Sequence, residues 1–446
     1  MPPSATDTSV NIKHLHTAKT IEHYLSEKLA NADKRKLTEY REALEQAHPY
    51  QVYFDNLLAP LKTPDDFCRQ RLQEALQNKY NSQLNPQDLI RLQPRHSVSK
   101  AMPLYTLLDA AMLNFTDIET AAHYFSDDSE TLTDAQDIPT EGSTNTRIGA
   151  RQFAALSRML DLGVQYQNYI SRTFNVSSVK LNALRLAKLN MKLAAYSKYF
   201  SNDIHQSLWF MLKNLSCGSA DIANGDNFNN APLQLYSVQL FGKNLVDAVL
   251  ITCRLTDQST QDRYLLYVPN DTGPGFYLNP DEDNCRITLA VKLLGQSSLR
   301  KLFASRLPKT DQNGFLTSHL SSISFIDDIT FQPLKQRLFE YIASRHLDTF
   351  LADARQCAVP VADISSSNHQ QRREPTELQQ RRMLCESLTD DFSKRLRTCA
   401  TDALISEVFS GVEGWTSAEK LHAIHQLLDL KEKSSLAGDV EPTAAL

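Results

Sequence analysis

Glycine is scarce, with 13 residues in a chain of 446, well below an average usage of roughly 7%. Turn-rich all-β folds and phosphate-cradling loops both depend on glycine, so the shortage points to a helix-dominated chain. No Gly-rich phosphate loop, GxSxG elbow or kinase signature occurs, which disfavours the usual mononucleotide chemistry. Long apolar runs are also missing: none approaches the 18 or more residues that a membrane-crossing helix needs,. Nor is there an excess of charge of one sign. The 47 basic and 52 acidic residues leave a net of −5, too little positive charge for a nucleic-acid footprint. Cysteines Cys68, Cys217, Cys253, Cys285, Cys357, Cys385 and Cys399 are odd in number and widely spread, and no CxxC pair occurs. They read as reduced thiols, not as a disulfide framework or zinc site. The N-terminus lacks the basic start, apolar centre and small-residue cleavage site of a secretory signal peptide,.

What is present is a succession of amphipathic segments interrupted by one run of a different period. Ile21, Leu25, Leu29, Leu37, Tyr40 and Leu44 recur at helical spacing between 18 and 47, as one helix or a helical pair. Thr63, Pro64 and Asp66 open a helix that reaches about Tyr80,. Asn85, Pro86 and Asp88 predict a turn followed by an extended piece. Helices follow at about 149–173, 177–198 and 202–215, the middle one with an apolar stripe broad enough for burial on two sides. From Leu233 the period shortens: LQLYSVQLF, LVDAVLITCRL, RYLLYVP and FYLN are short and rich in β-branched and aromatic residues, the pattern of an antiparallel meander. Helix resumes at about 287–305, 333–356, 376–399 and 417–432. The fold class is therefore α+β, mainly α-helical with a small embedded antiparallel β-meander.

The expected organisation is a disordered arm at 1–17, a helical subdomain at 18–125, an acidic linker or loop at 126–146, and central helices with the meander and closing helices at 147–358. A linker at 359–375, C-terminal helices at 376–432 and a disordered tail at 433–446 complete it. The acidic stretch is almost free of large apolar residues, so it buries too little surface to order itself.

Candidate chemistry is sparse. Cys217 sits in a polar turn after a helix, with Asp221 nearby and His205 upstream, and a thiol nucleophile needs such a base and orienting group within hydrogen-bond reach. Against it, a helix C-terminus disfavours a thiolate, and a plain helix-ending turn accounts for the same residues. Arg372, Arg373, Arg381 and Arg382 form a basic cluster suited to an acidic partner or a lipid headgroup, although Glu374, Glu377 and Glu386 lie among them; a solvated helix face is the plain alternative. His14 with His16, and His422 with His425, make pairs but no ligand set. The oxygen-rich runs near Asp281 and Asp221 lack the spacing of an EF-hand. No metal and no cofactor are expected.

Two segments carry a resemblance. One is RIGARQFAALSRMLDLGVQYQNYISRTF at Arg147 to Phe174, with its uncommon LDLGVQYQ. The other is NPQDLIRLQPRHSVSKAMPLYTLLDAAMLNF at Asn85 to Phe115, with Pro86, Ile90, Leu92, Arg95, Leu107, Ala110, Leu113, Asn114 and Phe115 in a familiar order. Together with QDRYLLYVP at Gln261 to Pro269, they resemble the N-terminal domain of dermonecrotic-toxin-like proteins of Gram-negative bacteria, over roughly residues 50 to 350. After that last strand, Asn270 to Pro274 stands where relatives show a Gly-Asp-Pro type turn.

The resemblance implies a secreted toxin or effector, made in the bacterial cytoplasm and exported by a specialised secretion system. It also implies a protein partner, either a host target or the secretion apparatus. The family's shared domain brings no assigned catalytic residues, so the chain reads as a delivery, docking or recognition module. Two alternatives stand beside it: a cysteine-dependent enzyme whose nucleophile and base come from distant segments, and an intracellular structural or immunity-type partner. Cys385 followed by Glu386 is similar to the Cys-acidic dipeptides of bacterial effector ubiquitin ligases, but without the surrounding ligase pattern.

Overall fold

The computed structural model describes residues 34–80, 84–95, 104–126, 129, 131–132, 148–218, 221–228, 231–254, 262–269, 275–305, 307, 323–365 and 373–397. Outside the described residues lie the arm at 1–17, most of the acidic stretch at 126–146, residues 366–372 of the expected linker, the helix at 417–432 with His422 and His425, and the tail.

Helix α1 (Lys34–Leu58) continues through Pro49, beyond the expected end near 47. Proline removes an amide donor from the helix interior, but burial of Phe54 and Leu58 carries the helix on by packing. Helix α2 (Pro64–Tyr80) starts where the sequence places it. Thr63 Oγ1 accepts from the Asp66 amide at 3.1 Å and its hydroxyl donates to Asp66 Oδ2 at 2.8 Å, a capping arrangement that satisfies an otherwise orphaned donor. Strand β1 (Leu89–Arg91) follows the Asn85 turn as expected and pairs antiparallel with β2 (Leu104–Thr106) and β3 (Thr131–Leu132). Helix α3 (Leu107–Leu113) leaves β2 directly, capped by Thr106, and every one of its residues is buried.

The sequence predicts one helix over 149–173; the structure has two, α4 (Ala150–Leu160) and α5 (Leu162–Phe174), broken at Asp161. Helix α6 (Ser177–Phe200) and helix α7 (Gln206–Cys217) form a packed pair. Tyr40, Tyr196, Phe200 and Trp209 interlock where α1, α6 and α7 meet, with Tyr40 and Phe200 edge to face at 5.6 Å. Such pairing adds to the area the rings bury.

The meander is present. After the short pair β4 (Asn227–Phe228) and β5 (Ala231–Pro232), strands β6 (Gln234–Leu240), β7 (Lys243–Cys253), β8 (Arg263–Tyr267) and β9 (Phe276–Asn279) run antiparallel in sequence order. Phe241 and Gly242, at φ 51° and 73°, make the tight β6–β7 turn. Two positive φ values suit the twist of a two-residue hairpin. Helix α8 (Glu282–Gly295), helix α9 (Ser297–Ser305), strand β10 (Ile329–Pro333), helix α10 (Leu338–Cys357) and helix α11 (Pro375–Arg397) complete the described chain. Strand β10 is a fifth strand that the sequence reading did not include, paired with β6 at the sheet edge.

Alternation along the strands divides the apolar residues between two cores. Leu235, Val249, Ile251, Leu265 and Phe276 join the main core with α10, which extends from Leu37 to Phe392. Val238, Leu250, Leu266 and Tyr277 face the other way, onto Leu289, Leu293 and Phe303 of α8 and α9. The sheet is thus a middle layer between α10 and the α8–α9 pair. Helix α11 joins the main core through Phe392, stacked on Phe350 at 4.1 Å and edge-on to Phe174 at 5.2 Å.

Candidate functional site

The signature LDLG folds as a joint. Asp161 ends α4 and caps α5 at once, in the left-handed conformation (φ 42°, ψ 67°). Its backbone N–H donates to Ser157 O at 2.9 Å, and its carboxylate accepts from the Val164 amide at 3.3 Å. The same carboxylate accepts from the amide of Val361 at 3.2 Å. Residues 358–361, the strap that follows α10, are therefore held in a socket made by the signature. Asn114, at φ 60°, lines its other side: its Nδ2 donates to Val359 O at 3.3 Å and reaches Asp161 Oδ1 at 3.4 Å. Val359 N donates to Met112 O at 2.8 Å. Gly163 has room for no side chain, since a Cβ there would sit 2.3 Å from Pro360 N.

Gln165 of the signature bonds back to the end of α4, and Tyr166, with Tyr169 beyond it, bonds to the body of the fold. Gln165 Nε2 donates to Leu160 O at 2.6 Å, Tyr166 donates to Lys62 O at 3.2 Å, and Tyr169 accepts from Lys62 N at 3.1 Å while stacking on Phe67 at 4.9 Å. Burial raises the Asp161 carboxyl above its ordinary value, partly offset by the two backbone amides it accepts from.

His205, Cys217 and Asp221 do not meet in one site. His205 caps the start of α7, its Nδ1 accepting from Ser207 N at 3.3 Å. Cys217, an exposed free thiol, ends the same helix. Cys217 lies twelve positions beyond His205 along the helix, roughly 18 Å along the axis. Asp221 caps a different helix in trans: Oδ1 accepts from Phe339 N at 3.0 Å and Oδ2 from Glu340 N at 2.8 Å. Arg337, the residue at the α10 cap position, supplies no side-chain cap of its own, so the first turn of α10 takes its acceptor from Asp221. We predict that Asp221→Ala lowers stability by about 1–2 kcal/mol, the usual cost of losing a cap, and that Cys217→Ala stays within roughly 0.5 kcal/mol of the parent, both read from urea midpoints.

The arginines are placed differently. Arg372 lies outside the described residues. Arg373 Nη1 pairs with Glu119 Oε1 at 2.6 Å, Nη2 donates to Asn114 O at 3.2 Å, and the guanidinium lies 4.6 Å over the Phe115 ring. Tyr105 donates to Arg373 O at 2.9 Å. Arg381 is buried. It pairs with the buried Asp109 of α3, and its Nη1 donates to Cys357 O at 3.0 Å and lies 3.8 Å from Cys385 Sγ. Arg382 reaches the same carboxylate from the surface, with Nε 3.1 Å from Asp109 Oδ2. Burial works to raise the Asp109 carboxyl, but hydrogen bonds from Arg382, the Arg381 charge and the Thr106 hydroxyl together hold it below the ordinary value. Three of the four arginines read as one basic face thus turn to two carboxylates of the segment 105–119, Arg373 to Glu119 and Arg381 with Arg382 to Asp109.

Sequence reasoning passed over Asp109 and Glu119, and it met Asn114 and Asp161 only as parts of the resemblance, with no role for either. Thr106 and Asp109, three apart before an apolar run, were the available signal for a cap. Among the described residues no group of three or more His, Cys, Asp or Glu side chains is placed to hold a metal. No described helix is long and apolar enough to cross a membrane.

A family model described as "Dermonecrotic toxin, N-terminal domain" matches residues 58–310, more than half of the chain. The chain belongs to the dermonecrotic toxin N-terminal domain family. A search of curated proteins finds no match. The match lies within the span from 50 to 350 expected from the resemblance. Within the toxin-domain match fall Asn114, Asp161 and Gly163; the strap they hold, with β10, α10 and α11, lies beyond it.

Proposed function

We propose that this chain is a docking module of a secreted toxin, one that recognises a protein on a host target or in the secretion apparatus and catalyses no covalent change in it. The carrying observation is the placement of the reactive side chains. An imidazole and a thiol stand at opposite ends of α7 and the nearby carboxylate caps α10, whereas nucleophilic catalysis needs base and nucleophile within hydrogen-bond reach. Recognition needs surface instead. Met159 and Val164, 71% and 40% exposed, flank the Asp161 joint. The joint's fixed backbone offers them to an apolar patch on a partner with little ordering cost. Membership of the toxin family supports the delivery half of the reading.

The test is saturable binding of the labelled full chain to target cells, displaced by excess unlabelled chain. Met159→Glu combined with Val164→Glu is expected to weaken binding by about tenfold or more, the scale of one or two lost hot-spot contacts, while Cys217→Ala and His205→Ala bind as the parent does. Cell killing that disappears in a folded Cys217→Ala variant would replace this reading with the enzymatic one.

A further inference from the structure

Three free thiols, Cys68 of α2, Cys357 at the end of α10 and Cys385 of α11, are each fully buried, and the latter two residues meet at the Arg381 guanidinium. Arg381 Nη1 donates to Cys357 O at 3.0 Å and lies 3.8 Å from Cys385 Sγ, so a single nitrogen bridges the two cysteines. Cys357 is the last residue of α10 and Cys385 lies within α11, so the nitrogen bonded to the end of one helix also touches the thiol of the other. The phenol of Tyr166 lies close by, as does Met112, whose Sδ is 4.0 Å from Arg381 Nη1. Asp109 and the main-chain oxygen of Cys357 already account for the arginine's role in packing. Neither needs a sulfur at 357 or 385, and the core volume the two thiols fill is one that apolar side chains of similar size would also fill.

We infer that Cys357 and Cys385 are an oxidation site, a dithiol that a hydroperoxide converts into a disulfide fastening α11 to α10. One thiol attacks the peroxide O–O bond, giving a sulfenic acid and water. The second thiol then displaces the sulfenic hydroxyl as a second water, forming the S–S bond. Two electrons pass from the sulfurs to the peroxide, and the two thiol protons leave in the two waters. Burial holds the Cys357 thiol well above its ordinary range, so reaction proceeds through transient opening of α11 and its rate follows the population of that opened state. A chain that moves from a reducing interior to oxidising surroundings would thereby gain a covalent clamp; that consequence rests on the export reading above, whereas the chemistry does not.

The test begins with the folded full chain. Its exposed thiols are alkylated under native conditions, and the protein is then treated with hydrogen peroxide, denatured, alkylated with a second reagent and peptide-mapped. The expected product is one cross-linked pair of peptides, holding Cys357 and Cys385, lighter by two hydrogens than the sum of the two free peptides. It should be absent from Cys357→Ser and from Cys385→Ser and retained in Cys68→Ser. In the oxidised parent, tryptic cleavage after Arg382 should slow by about tenfold or more, because the closed loop restricts the opened state; dithiothreitol should restore the original rate. A cross-link that maps to Cys68, or both thiols alkylated by the second reagent after peroxide treatment that oxidises the methionines, overturns the inference. Neither result bears on whether the chain docks to cells, so failure here is distinguishable from failure of the docking reading.

Discussion

Asp109→Ala is expected to lower the stability of the chain by about 3–5 kcal/mol, the cost of leaving a buried charge without its partner, against a total that for most domains is only about 5–15 kcal/mol. Asp109 receives Arg381 from inside the core and Arg382 from its edge, and the Thr106 hydroxyl donates to it at 2.8 Å. Removing the carboxylate leaves the Arg381 guanidinium enclosed by Met112, Cys357 and Cys385 with no carboxylate bonded to it, Asp65 acting only at longer range. The measurement is the urea midpoint at neutral pH, with the slope of the transition compared to confirm that both proteins unfold in the same way. Asp109→Leu combined with Arg381→Met should recover much of the loss, because an apolar pair of similar volume often replaces a buried ion pair without penalty. A single variant as stable as the parent would mean that α11 is not docked through this pair.

The same carboxylate sets a pH dependence. Its folded value lies below the ordinary 3.8, so the unfolded chain takes up its proton first as pH falls. The contribution is fully present above about the ordinary value and is lost as pH drops from there through the depressed folded value. Asp109→Ala should therefore flatten the acid limb of the stability profile below pH 4 relative to the parent.

How much of this was legible before folding differs from element to element. The start of α2 was legible because Thr63, Pro64 and Asp66 act on their own neighbours, and the meander was legible because alternation and β-branched residues are local signals. The break at Asp161 was not. Leucine on both sides favours helix, and the left-handed aspartate is stabilised by the amide of Val361, 200 positions away. Strand β10 ends in Pro333 and pairs only at the sheet edge, so its five residues carry little pattern of their own. The arginines near 380 look like a solvated face for the same reason. Their partners, Asp109 and Glu119, lie 272 and 254 positions upstream for Arg381 and Arg373, and an ion pair at that separation leaves no local trace. The LDLG segment that carries the resemblance is therefore a part of the fold that receives a distant segment.

Gly163→Ala is expected to destabilise the chain by about 3 kcal/mol or more, at or beyond the upper end of the roughly 1–3 kcal/mol usual for overpacking. The added methyl would lie 2.3 Å from Pro360 N, 2.4 Å from Val359 C and 2.8 Å from Ala358 O. All three are backbone atoms, which cannot rotate aside as a side chain can. The strap must move outward or α5 must tilt, and either motion stretches the Val361 amide from Asp161 and the Val359 amide from Met112 O, leaving polar groups near the core unpaired. Gly295→Ala is the matched control: that glycine ends α8 with no atom within 4 Å of an added Cβ, so alanine there should be neutral or stabilising by up to about 1 kcal/mol. Urea midpoints of the two variants should therefore shift in opposite directions or by very different amounts. Amide exchange locates the cause, since Val359 and Val361 should lose protection in Gly163→Ala while the sheet amides of β7 keep theirs until global unfolding. If Gly163→Ala matches the parent in both measurements, the strap is not seated on the signature helix, and the close approach that makes glycine necessary there is wrong.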